Sequence, residues 1–311
     1  MLNDIVVQTN NLTKRYSKTL ALDSVNITVR RGEIYGFVGR NGAGKTTLIR
    51  VLTGIANPTS GSFTLMGAKT RLEQIEARKH IAAMVETPAL YLNMTAHDNL
   101  RTTLILKGID DGSLIEARLR EVGLDDVIHS SKKAKDFSLG MKQRLGIAMA
   151  LLGNPDVLIL DEPTNGLDPE GIREMRELLV DINKKRNITM IISSHILGEL
   201  SKLATTFGFI DKGRIINEIS SEDLFAKVGR QVIIKTSDNN RASTLLEKTY
   251  PGRVHHDENG SLRVLDVANS SDIVKILVQN DINVANFREQ ENGLEDYFIN
   301  LIGGQHNGQS H

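Results

Sequence analysis

Residues 39–47 read Gly-Arg-Asn-Gly-Ala-Gly-Lys-Thr-Thr, and their setting decides how the chain folds. Before them, "EIYGFV" (33–38) is apolar and aromatic enough for a buried strand. After them, "KTTLIRVLTGI" repeats Leu48, Val51 and Leu52 at helical spacing. The order is therefore strand, glycine-rich turn, helix. Glycines let a backbone turn tightly with its amides pointing inward, which makes an anion nest. The helix N-terminus adds unpaired N–H groups and partial positive charge. Gly39, four residues, then Gly44-Lys45-Thr46 is the spacing of a loop that cradles nucleotide phosphates. In this reading Gly39, Asn41, Gly42 and Gly44 line the loop and Lys45 reaches the β- and γ-phosphates. The Thr46 hydroxyl goes to Mg2+, and Thr47 helps at the α-phosphate. The competing reading is a ligandless glycine turn, and it does not explain the full pattern in this context.

A second stretch, "NPDVLILDEPTNGLDP" (154–169), runs through four apolar residues into Asp161-Glu162. A continuous apolar run suits a strand covered on both faces of a parallel sheet. Carboxylates at the end of such a strand are costly without a task. Asp161 fits Mg2+ coordination, and Glu162 fits a base for the water that attacks the γ-phosphate. A third stretch, "DFSLGMKQRLGIAMALLGNP" (136–155), opens a helix with Ser138 and Gly140. A serine hydroxyl and a glycine amide at a helix start form a second anion site, although on these residues alone a simple helix cap is the plainer reading. A fourth, "NITMIISSHILGEL" (187–200), ends another buried strand at His195, where open α/β sheets place their ligands. That position makes His195 a candidate γ-phosphate contact.

Together these residues resemble the ATP-binding subunits of ABC transporters. The loop at 39–47 matches the family's Walker A motif, and "LILDE" (158–162) matches Walker B. "FSLGM" (137–141) stands where the family has its signature: Ser138 and Gly140 match, whereas Phe137, Leu139 and Met141 depart. "NGLD" with Asp168 resembles the D-loop, His195 the switch histidine, and Tyr16 the aromatic that stacks on adenine. The resemblance covers about residues 4–220. Within the family, "VETPALYLNMTAHDNL" (85–100) is most similar to bacitracin-resistance and lantibiotic-immunity exporters. Most members carry Gln where this chain has Glu86. A carboxylate can ligate Mg2+ as the Gln carbonyl can, but when ionised it cannot donate a hydrogen bond. Glu86 is thus expected to engage the site only with metal present, with Pro88 stiffening the loop.

The resemblance implies an α/β P-loop fold: a parallel-sheet core, an N-terminal antiparallel part and a helical subdomain at about 88–152. It implies two subunits that sandwich ATP and Mg2+, the phosphate loop of one facing Ser138 and Gly140 of the other. It also implies integral membrane permease subunits as partners. Strands and helices alternate to residue 220, which itself indicates a parallel sheet. Residues 221–302 read as a separate strand-helix unit. With a short strand near Val254 it resembles a βαββαβ arrangement. Residues 303–311 are expected to be disordered. The adjacent His255 and His256 point different ways and no carboxylate spacing completes a site, so a solvated turn explains them better than a metal site.

Composition bounds the alternatives. The 311 residues hold 38 Lys plus Arg and 38 Asp plus Glu, so bulk charge does not mark a nucleic-acid binder. With no cysteine, disulfide scaffolds and thiolate sites are excluded. No apolar run approaches the ~20 residues that span a bilayer, and the first residues lack signal-peptide character. A cytoplasmic chain, peripheral on the membrane through its permease, is expected. The rival readings are a soluble ATP-driven clamp on nucleic acid or the ribosome, and a nucleotide sensor that does not hydrolyse. The first usually carries two ATP units or long coiled coils, of which this chain shows one phosphate loop and no heptad run. Intact Asp161-Glu162 and His195 speak against the second.

Overall fold

A computed structural model describes residues 4–228, 230–257, 259–264, 267, 269–291 and 294–303. Two compact units divide it, residues 1–219 and 220–311.

In the first unit the order begins with β1 (Ile5–Tyr16), β2 (Thr19–Val25), β3 (Thr28–Arg30) and β4 (Ile34–Val38). Then come α1 (Lys45–Leu52), β5 (Ser60–Leu65), α2 (Arg71–Arg78) and β6 (Ile81–Met84). A helical stretch follows: α3 (Ala96–Lys107), α4 (Ser113–Glu121) and α5 (Leu139–Leu151). The chain returns through β7 (Val157–Asp161), α6 (Pro169–Arg186), β8 (Thr189–Ser194), α7 (Leu197–Leu200), β9 (Thr206–Asp211) and β10 (Arg214–Ser220).

β1 pairs antiparallel with β2, β3 and β5, which makes the N-terminal sheet. The second sheet runs β10-β9-β4-β8-β7-β6, with parallel pairing from β9 through to β6. β4, β7 and β8 are buried at every position, which is why their central residues are apolar without alternation. Apolar residues of β1, β4, β5 and α1 share one core with Val157, Ile159 and Ile191. That packing fixes α1, and with it the glycine loop, against the ends of the parallel strands. Sheet positions are also set by a polar lock: the buried Tyr35 Oη donates to Glu218 Oε2 at 3.0 Å. Burial, with the Glu218 carboxylate next in effect, holds the Tyr35 phenol well above its usual range. Gly208 leaves the room this needs, since a Cβ there would lie 2.1 Å from Tyr35 Oη.

Two elements differ from the sequence reading. "TFGFIDKGRII" (206–216), which reads as one apolar segment, is the hairpin β9–β10, turned by Lys212 (φ 45°) and Gly213 (φ 80°). Positive φ at both central residues is the I′ geometry that matches strand twist. β6, not anticipated, is the edge strand beside β7.

The second unit contains α8 (Ser221–Val228), β11 (Arg230–Thr236), α9 (Asn239–Thr249), β12 (Val254–His256), β13 (Leu262–Val264), α10 (Ser270–Gln279), β14 (Val284–Glu291) and α11 (Leu294–Gly303). The antiparallel sheet has the order β12-β13-β11-β14, so β11 to β14 with α9 and α10 form a βαββαβ unit. Val232, Ile234, Leu246, Leu262, Val264, Ile273 and Leu277 form its own core. His255 and His256 are exposed but lie on β12, paired with Arg263 and Leu262, and not in the turn expected for them; no metal-holding group of His, Cys, Asp and Glu occurs among the described residues. Of the expected disordered tail, Gly303 instead ends α11, and residues 304–311 lie outside the described ones.

Candidate active site

The site assembles at the C-terminal ends of β4, β7 and β8, where a parallel sheet leaves a crevice. β4 delivers the glycine loop. Gly39 packs so closely that a Cβ would sit 2.6 Å from both Cγ2 and the carbonyl of Ile210. Gly44 has φ 116°, and its Cβ would lie 2.7 Å from the Ala21 carbonyl. These two positions admit only glycine. Gly44 caps α1 without a side chain, so the first-turn amides of that helix point into the loop. No side-chain hydrogen bond engages the hydroxyl of Thr46 or Thr47 among the described residues. Asn41, Gly42, Gly44, Lys45, Thr46 and Thr47 line one open depression together with Thr19, Ala21, Glu162 and Gly213.

Lys45 is only 5% exposed. Its Nζ donates to Gly39 O at 2.6 Å and Arg40 O at 3.3 Å, and pairs with Glu162 Oε1 at 3.1 Å. Glu162 sits at φ 51°, a left-handed backbone that turns its side chain back over the loop. Its other oxygen, Oε2, is 2.7 Å from His195 Nδ1. An ionised carboxylate only accepts, so Nδ1 carries the proton of that bond and Nε2 is left for a ligand. One carboxylate just after β7 thus bridges a lysine at the start of α1 and a histidine just after β8.

Asp161 is buried, 1% exposed. Its Oδ1 accepts from Ser193 Oγ at 2.6 Å, and no donor reaches Oδ2 among the described residues. A buried carboxylate with one oxygen unengaged, next in sequence to the Glu162 that shares the depression with Thr46, belongs to a donor set that fits a hard cation such as Mg2+. Asp161 and Thr46 would hold it. When bound it would neutralise phosphate charge.

Ser138, Gly140 and Asp168 are not part of this depression. They line a second concavity with Leu139, Arg144 and Gly166. Ser138 caps α5, accepting from Met141 N at 3.2 Å, so the helix begins at Leu139 and Gly140 lies in its first turn rather than before it. Asp168 caps α6 through Gly171 N at 2.9 Å, ahead of Pro169 at the first helical position. A Cβ on Gly140 would meet only Leu167 Cδ2, at 3.7 Å. Nothing in its own chain therefore demands glycine there.

Tyr16 ends β1, 42% exposed, with Lys14 Nζ 4.8 Å from its ring centroid. Its cross-strand partner Thr19 lines the phosphate-loop depression. Glu86 is elsewhere: at φ 62° it points its carboxylate at Arg50 of α1, Oε1 to Nη2 2.5 Å. Sequence reasoning passed over Ser193 in this site and Arg50 as the partner of Glu86. The "SS" before His195 was the available signal for the first.

Residues 22–165 match the sequence profile described as ABC transporter. The chain is 44% identical over 304 residues to the bacitracin transport ATP-binding protein BcrA of Bacillus licheniformis, covering 96% of this chain and 98% of that protein. It is 40% identical over 233 residues to the lantibiotic transport ATP-binding protein SrtF of Streptococcus pyogenes, covering 74% of this chain and 99% of SrtF. Among solved structures, cbiO1 from Clostridium perfringens, part of the ABC transporter complex cbiONQ, is similar with a TM-score of 0.65 and 29% identity. That similarity covers 72% of this chain and 92% of cbiO1.

Proposed function

Because the chain belongs to the ABC transporter ATP-binding proteins, we propose that its ATPase activity powers export of a peptide antibiotic through a separate membrane permease. Two copies close on two ATP molecules, and the chain works on the cytoplasmic face of the membrane, held there by its permease. No helix among the described residues is long and apolar enough to cross a membrane. Residues 1–220 form the ATPase and 221–302 an accessory domain.

The observation that carries this reading is Glu162, held between Lys45 at 3.1 Å and His195 at 2.7 Å above the phosphate loop. The loop amides and Lys45 bind the phosphates. Glu162 orients and deprotonates the attacking water, and His195 Nε2 holds the γ-phosphate end. Phosphoryl transfer needs positioning and charge stabilisation more than covalent chemistry, and these groups supply both. Ser138 and Gly140 complete the site of the opposite copy, which accounts for a glycine that its own chain does not require.

Expression with its permease should protect a sensitive host against bacitracin or a lantibiotic. Protection that survives loss of ATP hydrolysis would overturn the proposal. In the same assay Glu86 is expected to act as the coupling residue. Glu86→Ala should hydrolyse ATP without protecting, while Glu86→Gln protects with an altered Mg2+ dependence. Full protection by Glu86→Ala would remove it from that role.

Tyr16 is proposed to stack on adenine. Tyr16→Ala should weaken ATP binding by about 1 kcal/mol, close to a fivefold change in Kd, and Tyr16→Phe should have little effect. Equal affinities for wild type and Tyr16→Ala would leave Tyr16 as a packing residue.

A further inference from the structure

We infer that Ser193 is a positioning residue for the metal carboxylate, a role that rests on the assignment of Asp161 to Mg2+. β7 and β8 run parallel with Asp161 directly beside Ser193 in register. The Ser193 side chain is fully buried. Its Oγ donates to Asp161 Oδ1 at 2.6 Å and accepts from Glu162 N at 3.0 Å. One hydroxyl therefore joins the metal carboxylate to the backbone of the catalytic glutamate.

The two bonds do not carry equal weight. Glu162 N also reaches the Ser193 carbonyl at 3.2 Å, so it keeps an acceptor if the hydroxyl is lost. Asp161 Oδ1 has no other donor among the described residues. Without Ser193 Oγ, a carboxylate that is 1% exposed would lose the bond that sets its rotation. Groups that orient a metal ligand typically contribute 10–100-fold to metal affinity. The bond also divides the labour of the two Asp161 oxygens: Oδ1 is held by Ser193, which leaves Oδ2 for the cation. The neighbouring serine has a different task. Ser194 Oγ accepts from Ile196 N at 3.0 Å and shapes the turn after His195.

The test uses the purified full chain, a non-hydrolysable ATP analogue and titrated Mg2+. Binding, not turnover, is read. Ser193→Ala should raise the Mg2+ concentration for half-maximal binding about 10-fold. Its affinity for the analogue in EDTA should equal that of wild type, which general damage to the fold would not allow. Ser193→Cys, close in shape with a weaker donor, should fall between the two. Asp161→Asn is the control for the underlying assignment. A normal Mg2+ response in Asp161→Asn would overturn the metal site itself. A shifted response in Asp161→Asn with an unshifted one in both Ser193 variants would overturn the role of Ser193 alone.

Discussion

Glu162→Gln should bind ATP as well as wild type does while its turnover falls by on the order of 10²-fold or more. The amide keeps the size of the side chain but cannot take a proton from water. It should also change the local geometry in a defined way. Wild-type Glu162 offers Oε1 to Lys45 and Oε2 to His195, at 3.1 and 2.7 Å. An amide presents only one acceptor, so if its oxygen stays on Lys45 its NH2 can keep the His195 contact only by donating to Nδ1, which moves the imidazole proton to Nε2. Glu162 N, at a residue with φ 51°, donates to the Ser193 hydroxyl and carbonyl, and the substitution leaves both bonds alone. The expected signature is a long-lived ATP-bound form, measured by nucleotide retention on gel filtration beside single-turnover hydrolysis. Turnover near the wild-type value would remove Glu162 as the base.

Lys45→Ala should act earlier, on binding. Hydrogen bonds to charged groups are worth about 1.5–3 kcal/mol each, so losing Lys45 from the phosphates should weaken ATP binding on the order of 10²-fold. Lys45 also closes the loop through Gly39 O and Arg40 O, so its removal loosens the cradle as well. Lys45→Arg keeps the charge but should not restore affinity. The guanidinium is a planar fork, and Lys45 occupies a space where it is only 5% exposed. Direct titration with a fluorescent ATP analogue measures both variants. Unchanged affinity in Lys45→Ala would contradict its placement on the phosphates.

What could be read from the residues alone follows from where the information sits. The glycine loop announces itself because phosphate cradling demands small residues and a lysine at fixed local spacing. The buried strands β7 and β8 are equally plain, since the runs Val157–Leu160 and Met190–Ile192 are apolar without a break. Ser193 was not legible. A serine at a strand end has no signature, and its contact with Asp161 arises only from β7–β8 register. β6 was missed because "IAAM" is short and alanine-rich, and only pairing with Val157–Leu160 makes it a strand. The β9–β10 hairpin was missed because its turn uses Lys-Gly, a weaker signal than Asn-Gly. Arg50 lies opposite Glu86 across a non-local contact, which helical periodicity within α1 cannot reveal.

In the proposed pair, one chain carries two half-sites that serve different ATP molecules, and Lys45 and Ser138 line separate concavities. The most direct measurement is ATPase activity in a mixture of two inactive variants, Lys45→Ala and Ser138→Arg. In a mixed pair, one site carries both lesions and the other carries neither. The account predicts that each variant alone is inactive and that mixing restores activity, at most to the level expected for one intact site per mixed pair. A mixture as inactive as its components, with pairing verified by light scattering, would show that Lys45 and Ser138 serve the same chain's nucleotide.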